Sequence, residues 1–220
     1  MTKYDLNRTK RRSLFAFGTA ALLTAAIPSR HADADITTSA QPTAPIEELN
    51  GALLSAMKAG GRTSFADRYR TLAPVIDHVF DLNDVLARSV GLSWATMPQA
   101  QRAVLAAAFE RYTVSSYVSN FDSFNGQSFQ VSPSVRTAGD GEVVVRSQLQ
   151  RGNGSPVTLD YVMRRGPAGW QAVDVLMDGA ISRVAVQRSD FRGLLASGGV
   201  PALAASLQNK VANLSGGMVG

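Results

Sequence analysis

The chain has 220 residues, with 22 Lys and Arg against 17 Asp and Glu, two His and no Cys. Residues 1–34 hold six of the basic residues (Lys3, Arg8, Lys10, Arg11, Arg12, Arg30) and two of the acidic ones (Asp5, Asp33), which leaves 16 against 15 and a net charge near +1 over the other 186. That balance excludes a protein that holds nucleic acid through a basic patch, and the absence of cysteine excludes disulfide staples and thiolate metal sites.

Arg11-Arg12-Ser13-Leu14-Phe15 is a twin-arginine pair leading into an apolar run from Leu14 to Ile27, and Ala32-Asp33-Ala34 fits a small-residue cleavage site. Charged head, apolar middle and small-residue exit predict a cleavable, twin-arginine-like signal over residues 1–34, and hence a periplasmic protein. The competing reading is an uncleaved anchor. Its 14 residues, interrupted by Gly18, fall short of the ~20 that a bilayer needs. Residues 35–45, DITTSAQPTAP, read as a flexible leader. Residues 46–214 suit one domain with a single sizeable core, and 215–220 a flexible tail.

From Ile46 the apolar spacing is helical, through Leu49, Leu53, Ala56 and Met57, until Gly60-Gly61. Thr63 or Ser64 caps a second helix with an apolar face of Phe65, Tyr69, Leu72, Val75, Ile76, Val79 and Phe80. Pro74 falls inside it and predicts a break or a bend, because proline removes one hydrogen bond and clashes one turn back. A short helix follows Asp81 through Val85, Leu86 and Val90, ended by Gly91. The longest helix runs from Gln99 to about Asn120, with Val104, Leu105, Ala108, Tyr112, Ser115 and Val118 on its buried face.

After Asn125-Gly126 the period changes to two, and four strands alternate between turns at Gly139-Asp140-Gly141, Gly152-Asn153-Gly154 and Gly166-Pro167-Ala168-Gly169. They predict an antiparallel meander with Val143, Val145, Leu149, Leu159, Tyr161, Met163, Val173, Val175 and Met177 on one face. Trp170 falls off that face in this alternation and is expected to pack at the sheet's end as support. Two helices close the chain, about 180–197 and 200–213, separated by Gly198-Gly199 and with Pro201 opening the second. The fold class is α+β, with helices on one face of a curved four-stranded antiparallel sheet.

Catalytic signatures are absent from this pattern. His78, the one histidine after residue 34, lies beside Asp77 on a helix, and no G-x-S-x-G elbow accompanies it; a surface or satisfied core histidine fits better. Gly152-x-Gly154 is followed by a strand, not by the helix a dinucleotide loop requires. Asp160 and Asp174 alternate with apolar neighbours and should face water. Asp178, at the junction of the last strand and the helix after it, is placed to cap the helix's free N–H groups. An isomerase-like enzyme with a buried carboxylate on a curved sheet and a non-catalytic scaffold with a closed core stand as alternatives. The apolar sheet face opposite Val75, Ile76, Val79, Leu105, Phe109 and Tyr112 either closes as a core or leaves a gap, and periodicity does not choose between them.

"GWQAVDVLMDGAISRVAVQRSDFRGLLASGG", followed by "VPALAASLQNKV", resembles the carboxyl end of the MlaC/toluene-tolerance family, through Trp170, Val173, Asp174, Val175, Gly179, Ile181, Ser182, Arg188, Phe191 and Gly199. Tyr161 within "LDYVMRR", the run Phe109, Tyr112 and Tyr117, and "FDL" at Phe80–Leu82 fit the same order. The stretches "RYTVSSYVSNFDSFNGQSF" and "ISRVAVQRSDFRGLL" are similar to the branch called HpnM, linked with hopanoid systems. Ala180 makes the turn after Gly179 one residue longer than the family pattern, which leaves the path into the helix open. The resemblance implies a periplasmic carrier without cofactor or metal, whose cargo is a membrane lipid, hopanoid or phospholipid, and whose partners are an inner-membrane lipid transporter and an outer-membrane complex. It implies lipid contacts from Val75, Val79, Phe109, Tyr112, Val145, Leu149, Tyr161, Met163, Val173, Val175, Met177 and Ile181. Arg183, Arg188 and Arg192 lie outside the apolar stripe, where they meet a phosphate headgroup, a partner's acids or simply water.

Overall fold

Local chemistry starts and stops each helix in the computed structural model, which describes residues 41–152 and 154–219. The expected signal and the first part of the leader lie outside the described residues. Helix α1, Ala44–Ala59, ends where Gly60 takes a positive φ. Helix α2, Phe65–Val79, is capped by Ser64, whose Oγ accepts from the Asp67 N–H at 3.1 Å. Helix α3, Leu82–Val90, is capped in the same way by Asp81 through the Asp84 N–H at 2.9 Å. A one-turn helix α4, Ser93–Thr96, precedes the long α5, Gln99–Asn120. Pro74 does not break α2. It lies on the solvent side, where water can take up the carbonyl it frees, while Leu72, Ile76 and Val79 bury the opposite stripe.

The sheet has five strands, not four, in the order β1-β2-β3-β4-β5 and all antiparallel: β1 Ser128–Gly139, β2 Glu142–Gln150, β3 Val157–Gly166, β4 Gly169–Met177 and β5 Ile181–Ser182. The fifth was hidden by its two-residue length. Asp178 and Gly179 both take positive φ, and the Ala180 N–H reaches the Met177 carbonyl at 3.2 Å. This is the tight Asp-Gly hairpin geometry. The last long strand therefore folds back on itself before the helix starts, and Asp178 forms the turn instead of capping the helix. Capping falls to Ser182, whose Oγ accepts from the Ala185 N–H at 2.9 Å, and to Asp174, whose Oδ1 accepts from the Val184 N–H at 3.1 Å. The final helix α6, Arg183–Ser215, is two helical pieces joined at Gly199 (φ 63°, ψ −156°), just before Pro201. After it, the Val219 N–H returns to the Ser215 Oγ at 3.2 Å, and Val219 packs on the first core described below.

A register shift in β4 corrects the place of Trp170. Val162 pairs with Asp174 but Met163 pairs with Ala172, so Val173 is the extra residue of a bulge. Beyond it the phase reverses. Ala172 and Trp170 stand on the same face as Met163, and Trp170 packs against the first core. At the other edge, β1 shifts register between Val131 and Val135, and every residue from Ser134 to Gly139 is exposed.

The described residues form two apolar cores. The first gathers Ile46, Leu49 and Leu53 of α1, Leu72, Ile76 and Val79 of α2, Val114 and Val118 of α5, and Val145, Tyr161, Met163 and Ala172 of the sheet. The second gathers Leu86 of α3, Leu105 and Phe109 of α5, and Val184, Phe191, Leu203 and Leu207 of α6. Val104, expected on the buried face of α5, points to solvent, one position off the Leu105–Ala108–Ser115 row. At the end of the sheet Arg88 binds Asp84 and Glu142, while Arg164 binds Asp81 at 3.3 Å and Asp84 at 3.1 Å, which pins α3 to β2 and β3.

Asp160 has the phase that alternation gives it, but it does not meet water. Its side chain is wholly buried on the outer face beneath Arg146, at 2.8 and 2.9 Å, and Arg136. Gly179 crosses over it: a Cβ there would sit 3.5 Å from the Asp160 carboxylate. The Arg146 hydrogen bonds hold the carboxyl below its ordinary range, with the charges of Arg146 and Arg136 adding to them and burial opposing. A carboxyl that titrates lower when folded stabilises fully above its unfolded pKa, and that share is lost as pH falls through the folded value. The two arginines are half-exposed and rehydrate once the pair is broken, so Asp160→Asn is expected to cost roughly 1–3 kcal/mol near neutral pH. It should also flatten the loss of stability in acid, which urea unfolding across a pH series measures. The α6 kink gives a second expectation with opposite signs at two glycines. Gly199→Ala forces a side chain into a glycine-only conformation and should destabilise by about 1–3 kcal/mol. Gly193→Ala, in the exposed helical part of α6 with open space around it, should stabilise by roughly 0.5–1 kcal/mol.

Candidate functional site

Where the two cores fail to meet, a cavity of about 500 Å³ remains between α5, the start of α6 and the sheet. Helix α5 and its C-cap Phe121 supply one wall, with Phe109, Tyr112, Thr113, Ser116, Tyr117 and Asn120 on the helix. These positions recur at three and four, so they form one continuous helical stripe. It lies beside the row of Leu105, Ala108, Ser115 and Val118 that the cores bury. Leu149, Val157, Leu159, Tyr161, Val175 and Met177 supply the sheet wall, and Phe80, Leu82, Val85, Val184 and Gln187 close the remainder.

Aromatic rings line the cavity in series. Tyr161 lies 6.3 Å from Phe80 between ring centroids, Phe80 lies 5.7 Å from Tyr117, and Tyr117 stacks on Phe121 at 6.0 Å with 12° between planes. Phe121 continues to Phe129 at 6.1 Å. Such tilted and offset pairs add to the area they bury and give the wall a fixed shape. Burial pushes the phenols of Tyr161 and Tyr117 up, for Tyr117 with a further rise from Tyr161 and an opposing pull from Arg183. Both are neutral at physiological pH and offer no base.

The polar groups of the lining are mostly committed inside the protein. Thr113 Oγ1 donates to the Phe109 carbonyl at 2.9 Å, and Ser116 Oγ to the Tyr112 carbonyl at 2.8 Å, so both hydroxyls turn back on their own helix. Gln187 Oε1 accepts from Ser89 Oγ at 3.0 Å. Asp174 reaches the lining, against the expectation that it faces water, and its carboxylate receives the Val175 N–H at 2.7 Å, the Val184 N–H at 3.1 Å and the Ser182 hydroxyl. Arg151 and Arg183 also line the cavity. Among the described residues no group of three or more His, Cys, Asp or Glu is arranged to hold a metal. His78 lies exposed on α2, 3.6 Å from Glu48 and away from the cavity.

Of the twelve residues singled out in the sequence, six line the cavity: Phe109, Tyr112, Leu149, Tyr161, Val175 and Met177. The others lie elsewhere. Val79, Val145 and Met163 are fully buried in the first core, and Val75 packs against it. Val173 is fully buried at the bulge. Ile181 is 55% exposed on β5, because the hairpin at Asp178-Gly179 turns it out. Phe80, Tyr117 and Phe121 were missed. The signal for two of them was present, since α5 carries more large apolar residues than one buried row requires. Periodicity read for a single face passes over a second, adjacent one.

The fold is similar to that of a solved phospholipid-binding protein from Ralstonia solanacearum in complex with a phospholipid. The two are 22% identical, with a TM-score of 0.69, and the match covers 80% of this chain and 99% of that one. At that identity the likeness is one of fold. A sequence model described as "MlaC protein" matches residues 47–209, well over half of the chain. The chain therefore belongs to the MlaC protein family.

Proposed function

We propose that this protein is a non-catalytic periplasmic lipid carrier, which hides lipid tails in the cavity between sheet and helices and moves them between inner- and outer-membrane complexes. The observation that carries this reading is the cavity wall itself. It is a largely aromatic and aliphatic surface in which the Thr113 and Ser116 hydroxyls are turned back on their own helix, so most of it offers a ligand dispersion and dryness. Burying a methylene is worth about 0.8 kcal/mol, so two tails of about 16 carbons expose more than 20 kcal/mol to water. Moving such a molecule requires a cover, not a nucleophile. Family membership supports the reading, as does the phospholipid bound by a protein of the same fold. Among the described residues no helix is long and apolar enough to cross a membrane.

A cavity of about 500 Å³ lies in the range of pockets that take drug-sized and larger apolar ligands. The cargo is a phospholipid or, through the likeness to the HpnM branch, a hopanoid. Native mass spectrometry after gentle purification, followed by lipid extraction, tests the whole reading. About one lipid per protein is expected. A protein that arrives empty and takes up no lipid from vesicles refutes it.

An enzyme reading has one observation in its favour, the Asp174 carboxylate in the same lining as Tyr161. The three donors on that carboxylate occupy its oxygens and hold it to the start of α6, which suits an anchor better than a proton acceptor. Paired substitutions separate a cavity from a core. Val145→Trp overpacks the first core and should cost about 1–3 kcal/mol. Val175→Trp projects into free space, should leave the melting temperature nearly unchanged, and should abolish bound lipid. Thermal unfolding and lipid content of the two variants are the measurements.

A further inference from the structure

The cavity opens where four elements begin or end. Of the residues that line it, Asn120, Arg151 and Met177 are exposed. Asn120 is the last residue of α5 and Met177 the last of β4, while Arg151 follows directly on β2, beyond the pairing of Leu149 with Val157 at the start of β3. At the other end Tyr161 and Phe80 are only 1% and 5% exposed.

This mouth has an apolar lip. Met177, 38% exposed, pairs across the strands with Leu159 on one side and Ile181 on the other. Directly paired residues stand on one face of a sheet. The row of Leu159, Met177 and Ile181 therefore carries the apolar lining from the cavity wall out to the exposed side chain of Ile181, on the last strand of the sheet. On the other side of the mouth the chain leaves α5 through Phe121, whose ring meets Phe129 beside the Leu149–Val157 pair. Three residues on, Phe124 is 41% exposed. Its neighbour Asn125 sets its carbonyl directly against Gly152, next to Arg151. Three of the exposed large apolar side chains of the described residues thus surround one opening, on the α5–β1 loop and the β4–β5 hairpin.

Charges of both signs stand among them. Lys58, whose Nζ lies 5.5 Å over the Phe124 ring, and Arg151 are set against exposed Asp122 and Asp178. A mixed border gives a protein partner no patch of one sign to complement. Apolar side chains on two separate turns, with an opening between them, fit a fluid surface that needs no matching side chains. A lipid surface is also where the cargo of a carrier begins.

We propose that Phe124, Met177 and Ile181 form a lip that enters a lipid surface and seats the cavity mouth on it, so that a tail passes from bilayer to cavity without crossing water. This rests on the carrier reading above. The lip governs the rate of transfer, and the cavity governs how much lipid is held at equilibrium.

The chain has no cysteine, so Phe124→Cys, Ile181→Cys and Leu92→Cys each carry one environment-sensitive dye. Leu92 is the control: it is 97% exposed, and α3, which it follows, is pinned by Arg88 and Arg164 to the opposite end of the sheet. The probe is a vesicle of phosphatidylethanolamine and phosphatidylglycerol in equal parts. The dyes at 124 and 181 should shift to the blue and the dye at 92 should not, and the shift should persist as salt is raised, because the contact is apolar. Ile181→Asp should slow lipid uptake from these vesicles roughly tenfold, which is what half of an isoleucine side chain gains on entering hydrocarbon. Its final lipid content and melting temperature should match wild type, and Ile181→Leu should keep the wild-type rate. Uptake at the wild-type rate by Ile181→Asp, or a dye at 181 that stays unshifted while lipid is taken up, overturns the proposal, assigns the lip to a protein partner and leaves the carrier reading standing. A shift that salt abolishes also overturns it, by assigning the contact to charge. So does a fall in both lipid content and melting temperature for Ile181→Asp, which would make Ile181 a structural residue. No uptake of lipid by wild type overturns the carrier reading itself.

Discussion

Helix α5 gives buried residues to two cores that Leu82 alone touches in common, and the cavity is what lies between them. Val114 and Val118 belong to the core built on the sheet, Leu105 and Phe109 to the core built on α6. A protein interior ordinarily closes to crystal-like density, and a gap lined by side chains forfeits the contacts they would otherwise make. An open space of this size persists because the elements around it are satisfied elsewhere. The sheet is packed by α1 and α2, and α6 is packed by α3 and the other end of α5. The second stripe of α5 is left facing space because its helix is already held on both sides.

The polar groups follow the same logic. A carboxylate or hydroxyl in an apolar wall is costly unless bonded, and here the bonds run back into the scaffold. Asp174 ties the last long strand to the first turn of α6. Asp160 locks the outer face of the sheet beneath two arginines and the turn at Gly179. The two aspartates therefore fix the sheet-to-helix junction beside the cavity, one from each face of the sheet.

Much of this was legible in the sequence, and the failures have particular causes. Alternation placed Val145, Tyr161 and Met163 on one face, and the cap residues Ser64 and Asp81 marked their helices. The Gly198-Gly199 break in α6 was visible as composition. The bulge at Val173 was not, because an extra residue leaves no mark in a run of apolar side chains, and it moved Trp170 to the other face. Asp160 shows that phase and exposure are separate properties: an outward-facing carboxylate can still be covered by long side chains from neighbouring strands. The difference between Val145 in a core and Val175 in a cavity is one of the separation between elements, about which periodicity is silent.

The free edge of the sheet has a consequence for how this protein meets others. A long open strand invites pairing with another chain, and natural sheets blunt such edges with proline, charge and bulges. Strand β1 has all three, in Pro133, Arg136 and the shifted register between Val131 and Val135. At the opposite edge β5 is only two residues long. Neither border offers a regular row of backbone donors and acceptors. Assembly by adding a strand is disfavoured on both sides, so recognition of another chain falls to side chains, whose contacts are quicker to undo than a paired strand.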